Sequence, residues 1–176
     1  MDKRLEELSK QIELCTRCPL RQNATQPVPG LGEGKKYMII GEAPGAQEDK
    51  VGIPFVGISG KRLNQLLELA HIDLKDCFIT NTVKCVPPKV SGKRRAPRKA
   101  ERLSCYGYLR KEIEIVRPEY ILTLGATPLS LFSDYGVTQM HGTMFEWEMP
   151  YDVEEIDGLK IRGTVESLQQ RRQRYE

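Results

Sequence analysis

Apolar positions at Leu5, Leu8, Ile12 and Leu14, with Asp2 as a candidate cap ahead of them, predict an amphipathic helix over residues 2–14. The next strong signal is a continuous apolar run, Tyr37-Met38-Ile39-Ile40, which reads as a buried strand. A helical pattern starts near Ser59, with Leu63, Leu66, Leu67, Leu69 and Ala70 marking the face expected to pack on a sheet. Cys77-Phe78-Ile79-Thr80 reads as a second strand, in which Cys77 fits as a small buried apolar residue. Pro97 opens a long helix to about Val116, since proline is tolerated in a first turn. Residues 119–125 form the third buried strand, and a short helix follows near residues 127–132. One more strand is expected between Val137 and Trp147, with His141-Gly142 at its start and Phe145 and Trp147 in the core.

Strands alternating with helices predict an α/β fold, a three-layer α/β/α sandwich around a mostly parallel sheet of about four strands. The domain is expected over residues 1–150. Beyond Pro150 the periodicity dissolves into an acidic stretch at 151–157, a short apolar group at 159–161 and a charged end. Residues 151–176 therefore read as an atypical, poorly ordered tail.

The first strand runs into an unusual loop, Gly41-Glu42-Ala43-Pro44-Gly45-Ala46-Gln47-Glu48-Asp49-Lys50-Val51-Gly52-Ile53-Pro54-Phe55-Val56-Gly57. A loop at the carboxyl edge of a parallel sheet is where such folds build pockets. Its glycines do not follow G-x-G-x-x-G, and no G-K-[ST] is present, so neither a dinucleotide nor a P-loop phosphate site is indicated. Read without any comparison, it is either a surface crossover or a pocket carrying three acids and one aromatic ring. Asn81 stands where the second strand gives way to a loop. It is either a turn cap or a planar amide whose donor and acceptor suit a pyrimidine edge.

At 176 residues with 39% hydrophobic and 29% charged content, the chain can bury a core without disulfides. No apolar run reaches membrane-span length and the N-terminus is not signal-like, so a cytoplasmic monomer without a membrane partner is expected. The net charge of +3 is too small to imply nucleic acid. Its distribution says more, because residues 89–102 hold Lys89, Lys93, Arg94, Arg95, Arg98, Lys99 and Arg102 against the single acid Glu101. That cluster is either a solvated charge run or a contact for a phosphate backbone. His71, just past a helix, reads as a polar helix-end residue.

Five cysteines in such a chain suggest metal or redox chemistry before disulfides. Cys15, Cys18, Cys85 and Cys105 form a C-x2-C … C-x19-C set. Zinc and iron–sulfur clusters both accept four thiolates, and spacing alone does not separate them.

Taken together, G-E-x-P-G, E-D and P-F-V-G in the first loop, N-x-V-K-C-x-P-P after the second strand and the four cysteines resemble the iron–sulfur (family 4) uracil-DNA glycosylases. The resemblance covers residues 7–147. It implies a structural 4Fe-4S cluster held by Cys15, Cys18, Cys85 and Cys105. It also implies that uracil-containing DNA, single- or double-stranded, is the partner, with Lys89, Lys93, Arg94 and Arg95 on its backbone. Phe55 would stack on the extruded uracil and Asn81 would bond its O4 and N3 edge. The backbone of Gly41, Glu42, Ala43 and Pro44 would line the pocket, with Glu42 and Glu48 as catalytic carboxylates that position water or balance charge.

Two departures qualify what the resemblance implies. Ala43 stands where the best-known uracil glycosylases place an aspartate base. The H-P-[SA] histidine expected near the end is missing, since the two histidines are His71 and His141 and neither precedes proline. Losing one charge-stabilising donor costs roughly 2.7–4 kcal/mol, about a hundred- to a thousandfold in rate. Slow cleavage, or none unless another donor substitutes, is the expectation, and a non-catalytic iron–sulfur DNA-binding protein or a zinc-dependent interaction module are the competing readings. A branch of the superfamily that attaches covalently to DNA carries K-R-R-I-H. Here Lys93-Arg94-Arg95-Ala96-Pro97 lacks that histidine.

Overall fold

The computed structural model describes residues 2–147 and the short strand at 166–167. Helix α1 (Lys3–Glu13) is capped by Asp2, whose carboxylate accepts the Arg4 N–H at 2.9 Å. It buries Leu5, Leu8 and Ile12, while Leu14 falls beyond the last turn and is exposed. A single turn, α2 (Leu20–Asn23), follows the first cysteine pair.

The central sheet has four strands in the order β1-β3-β2-β6: β1 (Leu31–Gly32), β2 (Tyr37–Gly41), β3 (Cys77–Asn81) and β6 (Tyr120–Thr123). β2 pairs in parallel with β3 and β6, and only the two-residue β1 runs antiparallel. The edge strand thus comes from the Pro/Gly-rich segment read as a loop, and not from residues 137–147. Its glycines explain the missing signal, because a Cβ at Gly30 would lie 2.6 Å from the Phe78 ring, and one at Gly32 would strike the Cys77 carbonyl. A strand forced to run this close has no side chains to alternate.

Successive residues of β2 face opposite ways. Met38 and Ile40 join Phe78, α1 and the long helix α5 (Lys99–Val116) in one core. Ile39 packs with Cys77 and with Leu63 and Leu67 of α4 (Ile58–Leu69) in another. Helices on both faces complete the three layers. Leu66 and Leu69, expected to pack on the sheet, point to solvent.

The first loop contains an unanticipated helix, α3 (Ala46–Val51), closed by Gly52 with φ of 78°. Residues 89–94 form a hairpin of β4 (Lys89–Val90) and β5 (Lys93–Arg94). The long helix begins at Lys99, two residues after the expected proline, with Arg98 at the cap position. After β6 come α6 (Ala126–Leu129) and α7 (Val137–Met140), so the first part of the stretch expected as a strand is helical. Its second part, β7 (Phe145–Glu146), pairs with β8 (Glu166–Ser167) outside the central sheet. The rest of the expected tail lies outside the described residues.

Candidate functional site

The chain visits β3 on one side of β2 and then crosses to β6 on the other, so the carboxyl end of β2 is a topological switch point. Gly41 ends β2 there, and Glu42, Ala43 and Pro44 follow. The pairing extends past the strands: Thr82 donates its N–H at 2.8 Å and its hydroxyl at 3.0 Å to the Gly41 carbonyl, and the Val83 N–H reaches the Glu42 carbonyl. The backbone lining the pocket is therefore fixed from the β3 side.

Asn81 pairs with Gly41 in register and is 2% exposed. No hydrogen bond reaches its side-chain amide among the described residues. Its Oδ1 and the Phe55 ring converge over Gly41, where an added Cβ would lie 2.5 Å from the oxygen and 2.6 Å from the ring. An unpartnered amide that is not fully enclosed, beside an aromatic ring, is suited to binding a flat polar heterocycle.

Phe55 adopts φ of 56°, a left-handed conformation that is uncommon for an aromatic residue and is found where surroundings impose it. Gly60 is part of that imposition. A Cβ on Gly60, in the first turn of α4, would collide with the Phe55 carbonyl. Gly60 was not singled out from sequence, because a helical glycine carries no sign of what lies against it.

Glu42 and Glu48 diverge. The Glu42 carboxylate accepts the Thr127 hydroxyl at 2.5 Å. Thr127, unforeseen from sequence, lies on α6 and so comes from the β6 side of the switch point. Glu48 is buried, with Oε1 on the Gly57 N–H at 2.7 Å, clamping the loop's second half to α3. The neighbouring Asp49 accepts the Thr25 N–H at 2.9 Å and ties the same helix to the N-terminal segment.

Cys15, Cys18, Cys85 and Cys105 line one small cavity together with Arg17, Arg21 and Lys84. All are free thiols. The N–H of Lys84 donates to Cys105 Sγ at 3.3 Å. Burial pushes the Cys85 thiol up to about 12, with Cys105, Cys18 and Cys15 adding to it against Arg21. Burial likewise raises Cys105 to about 11, opposed by the Lys84 charge. Four soft donors on one cavity fit a thiolate-ligated centre. Among the described residues no three His, Cys, Asp or Glu side chains are arranged to hold a single metal ion. Cys77 is buried in the core away from this set, as expected.

Around the basic hairpin, Lys89, Lys93 and Arg94 are exposed. Arg95 is not available in the same way, because its guanidinium makes a two-pronged pair with Glu101 at 2.7 and 2.5 Å. Both histidines are exposed, His71 beyond α4 and His141 at the end of α7. Among the described residues no helix is long and apolar enough to cross a membrane.

A mostly parallel sheet that gathers the Asn81 amide, the Phe55 ring and the Glu42 carboxylate at its switch point defines an α/β domain with a candidate ligand site there. A model of the uracil DNA glycosylase superfamily matches residues 29–165. Type-4 uracil-DNA glycosylase of Thermotoga maritima is 40% identical, over 81% of this chain and 74% of that protein. That of Sulfurisphaera tokodaii is 39% identical, over 86% and 70%. A type-5 uracil-DNA glycosylase of Pyrobaculum aerophilum is more distant, at 32% over 68% and 65%. The chain belongs to the uracil DNA glycosylase superfamily, in its type-4 branch.

Proposed function

We propose that this chain is a uracil-DNA glycosylase of DNA repair, a hydrolase of the N-glycosyl bond between deoxyribose and uracil. The observation that carries this reading is the Asn81 amide, without a hydrogen-bond partner among the described residues and set against the Phe55 ring over Gly41. A base inside a duplex cannot reach such a slot, so the nucleotide must be extruded. Phe55 would stack on the extruded ring. Asn81 would accept from N3–H and donate to O4, a pattern that cytosine reverses. As the bond breaks, the sugar becomes cationic and uracil leaves as an anion. Glu42, held by Thr127, is the carboxylate placed to orient water or offset the sugar's charge, whereas Glu48 holds the loop. Lys89, Lys93 and Arg94 would meet the phosphate backbone, with Arg95 fixing the hairpin.

Cys15, Cys18, Cys85 and Cys105 would hold a 4Fe-4S cluster. Four soft thiolate donors on one cavity, in a chain of the type-4 branch, support the cluster. When bound it supplies a structural joint between the N-terminal segment and the stretches that flank the basic hairpin.

A second reading, a DNA-binding protein that retains the cluster without cleaving, is favoured by the placement of His71 and His141. Uracil release from single-stranded DNA by the native chain and by Asn81→Asp separates the two. Release that falls at least tenfold in Asn81→Asp supports the enzyme, and none from either chain supports the alternative.

A further inference from the structure

Lys84 is 1% exposed, and so is Glu112 on the buried face of α5. Its ammonium finds three acceptors, one for each proton: Glu112 Oε2 at 2.7 Å, Thr80 Oγ1 at 2.6 Å and the Asn81 carbonyl at 2.9 Å. Glu112 in turn accepts the Thr80 hydroxyl at 2.8 Å and the Gly30 N–H at 3.0 Å. The backbone of Lys84 is engaged as well, with its N–H on Cys105 Sγ at 3.3 Å and its carbonyl on the Val28 N–H at 2.6 Å.

Stability is a poor account of such a pair. Two charges withdrawn from water recover little more than their desolvation, and well-packed apolar residues commonly serve as well. What an apolar pair cannot do is hold a particular peptide plane by hydrogen bonding. The group held here is the carbonyl of Asn81, and its side chain reads the base in the function proposed above, on which this inference rests. We propose that Lys84 is a positioning residue. Its ammonium fixes the Asn81 peptide and so aims the Asn81 amide into the slot, while its own N–H refers that aim to the cysteine cavity.

The test uses the full chain and the double variant Lys84→Met with Glu112→Leu, which removes both charges and leaves neither unpaired. Free uracil binding is measured by calorimetry beside KM, kcat and thermal unfolding. The expected double variant unfolds cooperatively, binds uracil at least tenfold more weakly and shows the loss mainly in KM and in discrimination against cytosine. A folded double variant that binds uracil as the native chain does would overturn the proposal. A double variant that fails to fold would overturn it too, because the pair would then be a requirement of stability. Absence of uracil binding and release in the native chain would instead sink the glycosylase reading, so the two failures are distinguishable.

Discussion

The Thr127 hydroxyl donates to Glu42 Oε2 across 85 positions of sequence, joining the residue after β2 to the helix after β6. Thr127 is itself tied into α6, where Ser130 Oγ donates to its carbonyl and accepts from Arg102. The carboxylate is therefore held from the side of the crevice opposite Asn81. Hydrogen bonds to a charged group contribute about 1.5–3 kcal/mol, so Thr127→Val is expected to lower kcat roughly ten- to a hundredfold. KM should change little, and Thr127→Ser should recover most of the rate in single-turnover assays of uracil release. Equal loss in both variants would mean that the hydroxyl has no part in holding Glu42.

Gly60→Ala places a methyl group against the Phe55 carbonyl. The backbone of Phe55 must shift, at a cost of roughly 1–3 kcal/mol for overpacking. Uracil affinity should fall as the ring leaves its stacking position, while Ser59→Ala, one residue earlier and exposed, should leave affinity unchanged. Calorimetric titration with free uracil reads the difference.

Removing one sulfur from the shared cavity tests the cluster independently of cleavage. Cys85→Ser should lose the visible absorption of the purified protein and bound iron and acid-labile sulfide together, with a lower unfolding temperature. Cys77→Ser should retain iron and sulfide, because that thiol lies in the core behind β3. Zinc with no sulfide in the native chain would refute the iron–sulfur assignment.

Glu101 docks the basic hairpin through Arg95, whose guanidinium holds its carboxyl below the ordinary glutamate value against the opposing effect of burial. A carboxyl depressed on folding contributes stability above its unfolded pKa, and the contribution is lost as pH falls through the folded value. Protection of the amides across residues 89–95, measured against their intrinsic exchange rates at each pH, should accordingly fall in acid below the ordinary glutamate pKa. Glu101→Gln should show the lower protection already at neutral pH. Protection independent of pH over that interval would remove the pair from the account of the hairpin.

The exposed cations make a separate prediction about DNA. Lys93→Ala and Arg94→Ala should each weaken binding evenly across sequences and lower the slope of log affinity against log salt by about one. Arg95→Ala should act through the hairpin's order instead, with a smaller change in slope. Fluorescence titrations at several salt concentrations measure all three.

Local patterning determined a good deal of this protein. Runs such as Met38-Ile39-Ile40 specify buried strands because apolar side chains on both faces need helices on both faces. The alternation of strands and helices then leaves a mostly parallel sheet. The four cysteines, Phe55 and Asn81 were legible as candidates through motifs that resemble one family, and the structure brings the cysteines onto one cavity and Phe55 beside Asn81. Tertiary structure decided what depends on residues of different elements meeting. It set Thr127 on Glu42 and Lys84 on Glu112, 85 and 28 positions apart. It also turned Arg95 onto Glu101 and placed Gly60 under Phe55, near in sequence but each joining a loop to a helix. Helical or strand periodicity reports only which face a residue occupies, never which side chain awaits it there. The edge strand at Leu31–Gly32 escaped for the converse reason: glycines selected for close approach leave no hydrophobic pattern to read.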